Sequence, residues 1–207
     1  MERRDGQFRG NAGLGPRRML SVIIPTLNSE RALVPTLAAL VPGATSGLIS
    51  EVLVTDAGSQ DDTAAVADVA GCDFLQIAGP LGRRLKAAAA AARAPWLMFL
   101  RPGIVLDGPW TSEVGRFVQH PVRDLQAAVF RRGNPSASAL REFVLLFTSI
   151  LGALPRPEQG LLISKQFYDA IGGHSERSTD PEYELMRRIG RPRSAKLVTS
   201  AFDPGGE

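Results

Sequence analysis

Two short apolar runs with a helix-like stretch between them constrain this chain more than anything else in it. Residues 20–25 read Leu-Ser-Val-Ile-Ile-Pro, residues 51–56 read Glu-Val-Leu-Val-Thr-Asp, and a helix-like segment lies between them at 30–40. Short β-branched runs bounded by polar turns mark buried strands. Joined through a helix, they become parallel neighbours in a sheet covered on both faces. Ligands of such sheets bind outside the carboxyl ends of the strands. Thr26, Asn28 and Asp56 converge on that edge. Asp56-Ala-Gly58-Ser then offers a carboxylate followed by backbone amides, a pattern suited to a nucleoside and its phosphates. It equally suits a plain helix cap through Ser59, and the residues alone leave both open.

The remaining chain continues in the same alternation. The first helix is expected over 29–40, capped by Ser29 and stopped by Pro42-Gly43. Strands follow at 48–55, 72–78 and 96–100, with a helix opening at Ser59 and another running from 79 to 92. That last helix carries Arg83, Arg84 and Lys86 at its start and a run of alanines behind them. Three cations at the positive end of a helix oppose its dipole. A bound phosphate would resolve the conflict, as would three solvated side chains. A short helix at 110–120 and a strand at 125–130 come next. Residues 140–154 form an apolar helix suited to the core, a membrane surface or, through 143–154, a dimer face. A strand at 160–164, a helix at 165–171 closed by Gly172-Gly173, and a final strand at 195–202 complete the pattern. Asp180-Pro181 starts the last helix in the manner of an N-cap followed by proline at N1. One α/β domain over 19–207 is expected, without internal repeats.

Charge separates the ends from the body. Residues 1–18 hold Arg3, Arg4, Arg9, Arg17 and Arg18 against Glu2 and Asp5, and lack periodicity, as a disordered basic leader would. The remainder is balanced, 19 basic against 19 acidic residues, so no basic face for nucleic acid is expected. Cys72 is the only cysteine, which rules out an intramolecular disulfide and fits a reducing cytoplasm. No apolar stretch reaches the ~18–20 residues that span a bilayer, and residues 1–18 lack the apolar core of a secretory signal.

Five blocks in order resemble the family 2 glycosyltransferases of the GT-A fold, and look closest to a compact bacterial branch of them. They are Ser21-Val-Ile-Ile-Pro-Thr-Leu-Asn28, Glu51 through Thr63, Gly82-Arg-Arg-Leu-Lys-Ala running to Leu100, Glu158-Gln-Gly160 with Phe167 through Gly173, and Glu182 through Arg188. The resemblance implies an α/β GT-A fold with a mostly parallel central sheet flanked by helices. It also implies a UDP- or GDP-linked sugar as donor and transfer with inversion. Pro25, Thr26 and Asn28 would then line the nucleoside pocket, with Asp56 and Gly58 at the base or ribose. Arg83, Arg84 and Lys86 would meet the diphosphate. Glu182 would be the catalytic carboxylate, and Glu158 and Gln159 would lie on the acceptor side.

One departure stands out. The resemblance implies an Asp-containing motif for Mg²⁺ or Mn²⁺ directly after the fourth strand, and this chain has Leu100-Arg101-Pro102-Gly103 there. A hard divalent ion needs oxygen ligands, which arginine cannot supply. No metal ligand is therefore assigned, unless Asp107 reaches back. Either Arg101, with the basic helix, supplies the missing positive charge to a metal-independent transferase, or the chain is a catalytically inactive nucleotide- or partner-binding relative.

Overall fold

The computed structural model describes residues 19–120, 123, 125–133 and 160–203. The leader, residues 140–154 with the candidate dimer face, Glu158 and Gln159 lie outside the described residues. The fold begins as the alternation requires. Strand β1 (Leu20–Thr26) is followed by helix α1 (Glu30–Thr45), β2 (Ile49–Asp56), α2 (Thr63–Val69), β3 (Asp73–Gln76), α3 (Leu81–Ala91) and β4 (Trp96–Phe99). Then come β5 (Val105–Leu106), α4 (Trp110–Val118), β6 (Ala127–Arg132), β7 (Leu161–Ser164), α5 (Lys165–Ala170), α6 (Pro181–Ile189) and β8 (Ser194–Phe202).

The strands form one mostly parallel sheet in the order β3-β2-β1-β4-β7-β6-β8-β5. β1 pairs in parallel with both β2 and β4, so Thr26, Asp56 and the residues after Phe99 leave the sheet at one edge. β7 and β5 run against their neighbours. Side chains alternate between the faces with the strand period. Leu20, Val22 and Ile24 pack with Leu33 and Trp110 on the α1/α4 side. Ile23 packs with Leu85, Phe167 and Leu185 on the side of α3, α5 and α6.

Several element ends differ from the sequence expectation. Helix α1 runs through Pro42-Gly43 to Thr45. Gly43 is a packing point rather than a stop: a Cβ there would come within 2.4 Å of the Trp110 ring. Ser29 precedes α1 without a capping hydrogen bond from its side chain. Helix α2 begins at Thr63, not Ser59, because Ser59 is drawn back onto Asp56. The two-residue strand β5 was not anticipated. The last helix starts as expected, with the Asp180 carboxylate accepting from Tyr183 N and Pro181 in the first turn.

Candidate active site

Asp56 organises the edge where β1 and β2 end. Its side chain is buried, and its Oδ1 accepts from Thr26 Oγ1 at 2.8 Å and Ser59 Oγ at 2.5 Å. Its Oδ2 accepts from Gly58 N and Ser59 N, each at 2.7 Å. A carboxylate has about four acceptor positions, and here its own chain fills them. Burial alone would raise the Asp56 pKa, but the bonds from Ser59, Thr26 and Gly58 outweigh it and hold the carboxyl below its ordinary value. Asp56 is thus the post around which the 57–59 turn is wrapped. Gly58 supplies the φ of +105° that the turn requires.

A second set of bonds ties this turn to the one after β1. Asn28, in the left-handed region at φ 48°, accepts from Gln60 N through Oδ1 and donates its own N–H to Ser59 Oγ. Asp61 accepts from Glu30 N and from the Thr63 hydroxyl and N–H. Two loops 30 residues apart in sequence therefore behave as one ledge. Thr26 closes it from β1, and Pro25 is half-buried in the strand opposite Thr55. Sequence reasoning named Asp56 and Asn28, but put Ser59 at the opening of a helix rather than on Asp56 and did not place Gln60 or Asp61 in the ledge. An Asp followed by Gly and Ser at the second and third positions is an Asx-turn signature, and that signal was there to be read.

The three cations of α3 do not form one cluster. Adjacent helical residues point about 100° apart, and Arg84 turns inward while Arg83 and Lys86 face solvent. Arg84 is 9% exposed, and its Nη1 donates to the carbonyls of Thr26 and Thr55 at 3.1 Å each. Burial lowers the Arg84 pKa from its ordinary value, and the adjacent Asp56 charge offsets this only in part. Arg84 therefore braces the strand ends from below. Lys86 instead pairs with Glu176 at 3.6 Å, both half-exposed. It lines a cleft of about 450 Å³ with His174, Arg177, Glu184 and Arg188. Glu184 and Arg188 lie on the flank of α6 away from Glu182.

Glu182 is where the two halves of the chain meet. Helix α6 buries its Glu182, Leu185, Met186 and Ile189 stripe. Glu182 Oε2 accepts from both Nε (3.1 Å) and Nη2 of Arg101. The Glu182 side chain is 7% exposed and that of Arg101 is 42% exposed. Arg101 follows β4 directly, and Leu100 N donates to Ile23 O, so the pair stands on the same sheet edge as Thr26 and Asp56. α6 is seated by contact with α3: a Cβ on Gly82 would fall 1.9 Å from Ser175 O and 3.1 Å from Pro181 Cβ. The sequence singled out both members of the ion pair but not their contact, which joins positions 81 residues apart.

The residues after β4 do not fit a divalent cation. Arg101 occupies the position where the resemblance puts an aspartate, and the buried Glu182 beside it is already paired with that guanidinium. Asp107 does not reach back, since its Oδ1 accepts from Ser200 N at 2.9 Å and pins β5 to β8. Asp203 Oδ1 lies 3.2 Å from where a Cβ on Gly103 would sit. Among the described residues no three His, Cys, Asp or Glu side chains group in a way suited to a metal.

Fold and edge together define the class. This is a GT-A glycosyltransferase fold, and residues 21–100 match the family model described as glycosyl transferase family 2. The match takes in the first three of the sequence blocks, from Ser21 to Leu100. No curated protein sequence matches the chain significantly. Among solved structures the chain is similar to glucosyl-3-phosphoglycerate synthase from Mycobacterium tuberculosis. The complex of that enzyme with Mn²⁺, UDP and phosphoglyceric acid is 19% identical with a TM-score of 0.65, covering 88% of this chain and 70% of that one. Its complex with Mn²⁺ and UDP-glucose is 20% identical with a TM-score of 0.63, covering 86% and 68%. At these identities the likeness speaks for the fold. Among the described residues no helix is long and apolar enough to cross a membrane.

Proposed function

We propose that this chain transfers a sugar from a nucleoside diphosphate sugar to a hydroxyl group, with inversion at the sugar carbon. The observation that carries this reading is the delivery of a buried carboxylate, Glu182, to the strand-end edge already built around Thr26 and Asp56. Pro25, Thr26, Asn28, Asp56 and Gly58 form the nucleoside ledge: Asp56 and Asn28 hold its shape, and the outer faces of the two turns receive base and ribose. The similar enzyme described above was solved with UDP and with UDP-glucose, which favours a uridine donor. Arg83 lies exposed at the start of α3, where it meets the diphosphate. Arg84 acts beneath it by fixing the strand ends, while Lys86 is paired with Glu176 at the cleft. Glu158 and Gln159 are assigned to the acceptor side on the resemblance alone.

The reaction is a single in-line displacement. The acceptor oxygen attacks the sugar carbon, the bond to the diphosphate breaks with its electrons on the leaving oxygen, and Glu182 takes the acceptor's proton. Cationic side chains stabilise the charge that develops on the diphosphate. In a competing reading the chain binds the nucleotide without turnover. The occupation of Glu182 Oε2 by Arg101 favours that alternative, because that oxygen already accepts two N–H bonds. Incubation with UDP- and GDP-sugars separates the two. A transferase releases the nucleoside diphosphate, and Glu182→Gln abolishes release while UDP still raises the melting temperature. Binding without release in the unmodified chain is the outcome for the inactive reading. If neither UDP nor GDP at millimolar concentration shifts the melting temperature, both fall.

A further inference from the structure

The turn after β4 presents a guanidinium where a divalent ion would otherwise meet the leaving group, and that guanidinium rests on the acid assigned as the base. We propose that Arg101 is a counter-ion shared between Glu182 and the donor's diphosphate, and that it passes from the first to the second during transfer. This rests on the nucleotide-sugar reading given above.

The exchange follows from charge balance at the edge. Glu182 is nearly buried, and a buried carboxylate deprived of its partner is strongly unfavourable. Arg101 is consequently held on Glu182 while Glu182 is ionised. Its own side chain is 42% exposed and leaves the sheet at the donor edge, so the guanidinium can face a ligand while still bonded to Glu182. Both bonds fall on Oε2, so Oε1 has no partner among the described residues and is the oxygen offered to the acceptor hydroxyl. When the acceptor's proton arrives there, Glu182 becomes neutral and its claim on Arg101 lapses. In the same step the carbon–oxygen bond to the diphosphate breaks and the leaving oxygen gains a negative charge. One counter-charge is released as another is required, and Arg101 serves both. Guanidinium groups suit phosphate oxygens in geometry, and a fixed cation of this kind supplies what a hard ion supplies elsewhere.

The proposal has a signature that a merely structural ion pair lacks. Glu182→Gln imitates the protonated base, so it should release Arg101 to the diphosphate and tighten UDP binding. Calorimetric titration of the full chain with UDP and with uridine, each in EDTA and in Mn²⁺, reads this directly. UDP should bind about threefold or more tighter to Glu182→Gln than to the unmodified chain, with uridine unchanged. Arg101→Ala should weaken UDP by about tenfold or more, the worth of one charge-assisted hydrogen bond, again with uridine unchanged. In the double variant the gain from Glu182→Gln should vanish. Mn²⁺ should leave every value as it is in EDTA. If Arg101→Ala does not fold, Glu182→Gln and the metal comparison still decide. UDP affinity that is unchanged or weaker in Glu182→Gln overturns the proposal. So does equal loss of UDP and uridine in Arg101→Ala, or UDP binding that needs Mn²⁺. Any of those outcomes with UDP still bound leaves the nucleotide reading standing. Failure of the unmodified chain to bind UDP and uridine removes both.

Discussion

Replacing Asp56 by asparagine tests whether the donor ledge is built on one ionised carboxylate. The substitution keeps the shape and removes the charge. The amide oxygen can retain the N–H groups of Gly58 and Ser59, now 2.7 Å from Oδ2. The amide nitrogen then faces the hydroxyls of Thr26 and Ser59, which must rotate from donating to accepting. Hydrogen bonds to a charged group contribute about 1.5–3 kcal/mol and neutral ones about 0.5–1.5, so each retained backbone bond loses about 1 kcal/mol. With the two reversed hydroxyl contacts and the lost charge beside Arg84, Asp56→Asn should destabilise the fold by about 2–4 kcal/mol. Urea unfolding at neutral pH measures this. The pH dependence supplies the second check. The Asp56 carboxyl sits below its ordinary value in the folded chain, despite burial, because the Ser59, Thr26 and Gly58 bonds favour the charged form. The unfolded chain therefore binds the proton first on acidification. The stability Asp56 contributes is complete above the unfolded value of about 3.9 and is lost as the pH falls through the lower folded value. The gap between the unmodified chain and Asp56→Asn should close below about pH 4. A gap under about 1 kcal/mol at neutral pH, or one that persists unchanged into acid, would refute the reasoning.

Two other sites give independent checks. Gly82→Ala places a Cβ 1.9 Å from the Ser175 carbonyl, so α3 and the 175–181 segment must separate. It should lower the melting temperature and loosen Glu182, whereas Gly115→Ala on α4, where a Cβ meets nothing within 4 Å, should be well tolerated. His174 is buried against Tyr168 and Phe99, and burial, with Arg188 adding to it, lowers its pKa from 6.5 to about 3. The unfolded chain takes up that proton more readily, so stability is complete above about pH 6.5 and declines toward pH 3. An NMR titration in which the His174 ring protonates near its ordinary value would contradict this.

Much of the nucleotide half was legible because its signals are local. The apolar runs of β1, β2 and β4, the Asp180-Pro181 start of α6 and the Asp56-Ala-Gly58-Ser turn each state their conformation within a few residues. Pro42-Gly43 misled for a nonlocal reason: Trp110, arriving from α4, needs the space over Gly43 and holds the helix together past the proline. The basic start of α3 divides for a similarly nonlocal reason. Helical spacing sends Arg84 one way and Arg83 and Lys86 another, and what Arg84 meets are two strand-end carbonyls that no sequence window contains. The Arg101–Glu182 pair was visible only as two separate departures and motifs, because the chain between them includes most of the second half of the sheet.

Hydrogen–deuterium exchange with and without saturating UDP tests the central claim most directly, because it reports where the nucleotide sits without requiring turnover. Slowed exchange confined to the two turns at 26–29 and 56–60 and to residues 100–103 is expected, since these form the carboxyl edge of β1, β2 and β4. Protection of residues 172–177 around the cleft that Lys86 lines, with no change at the strand ends, would contradict it.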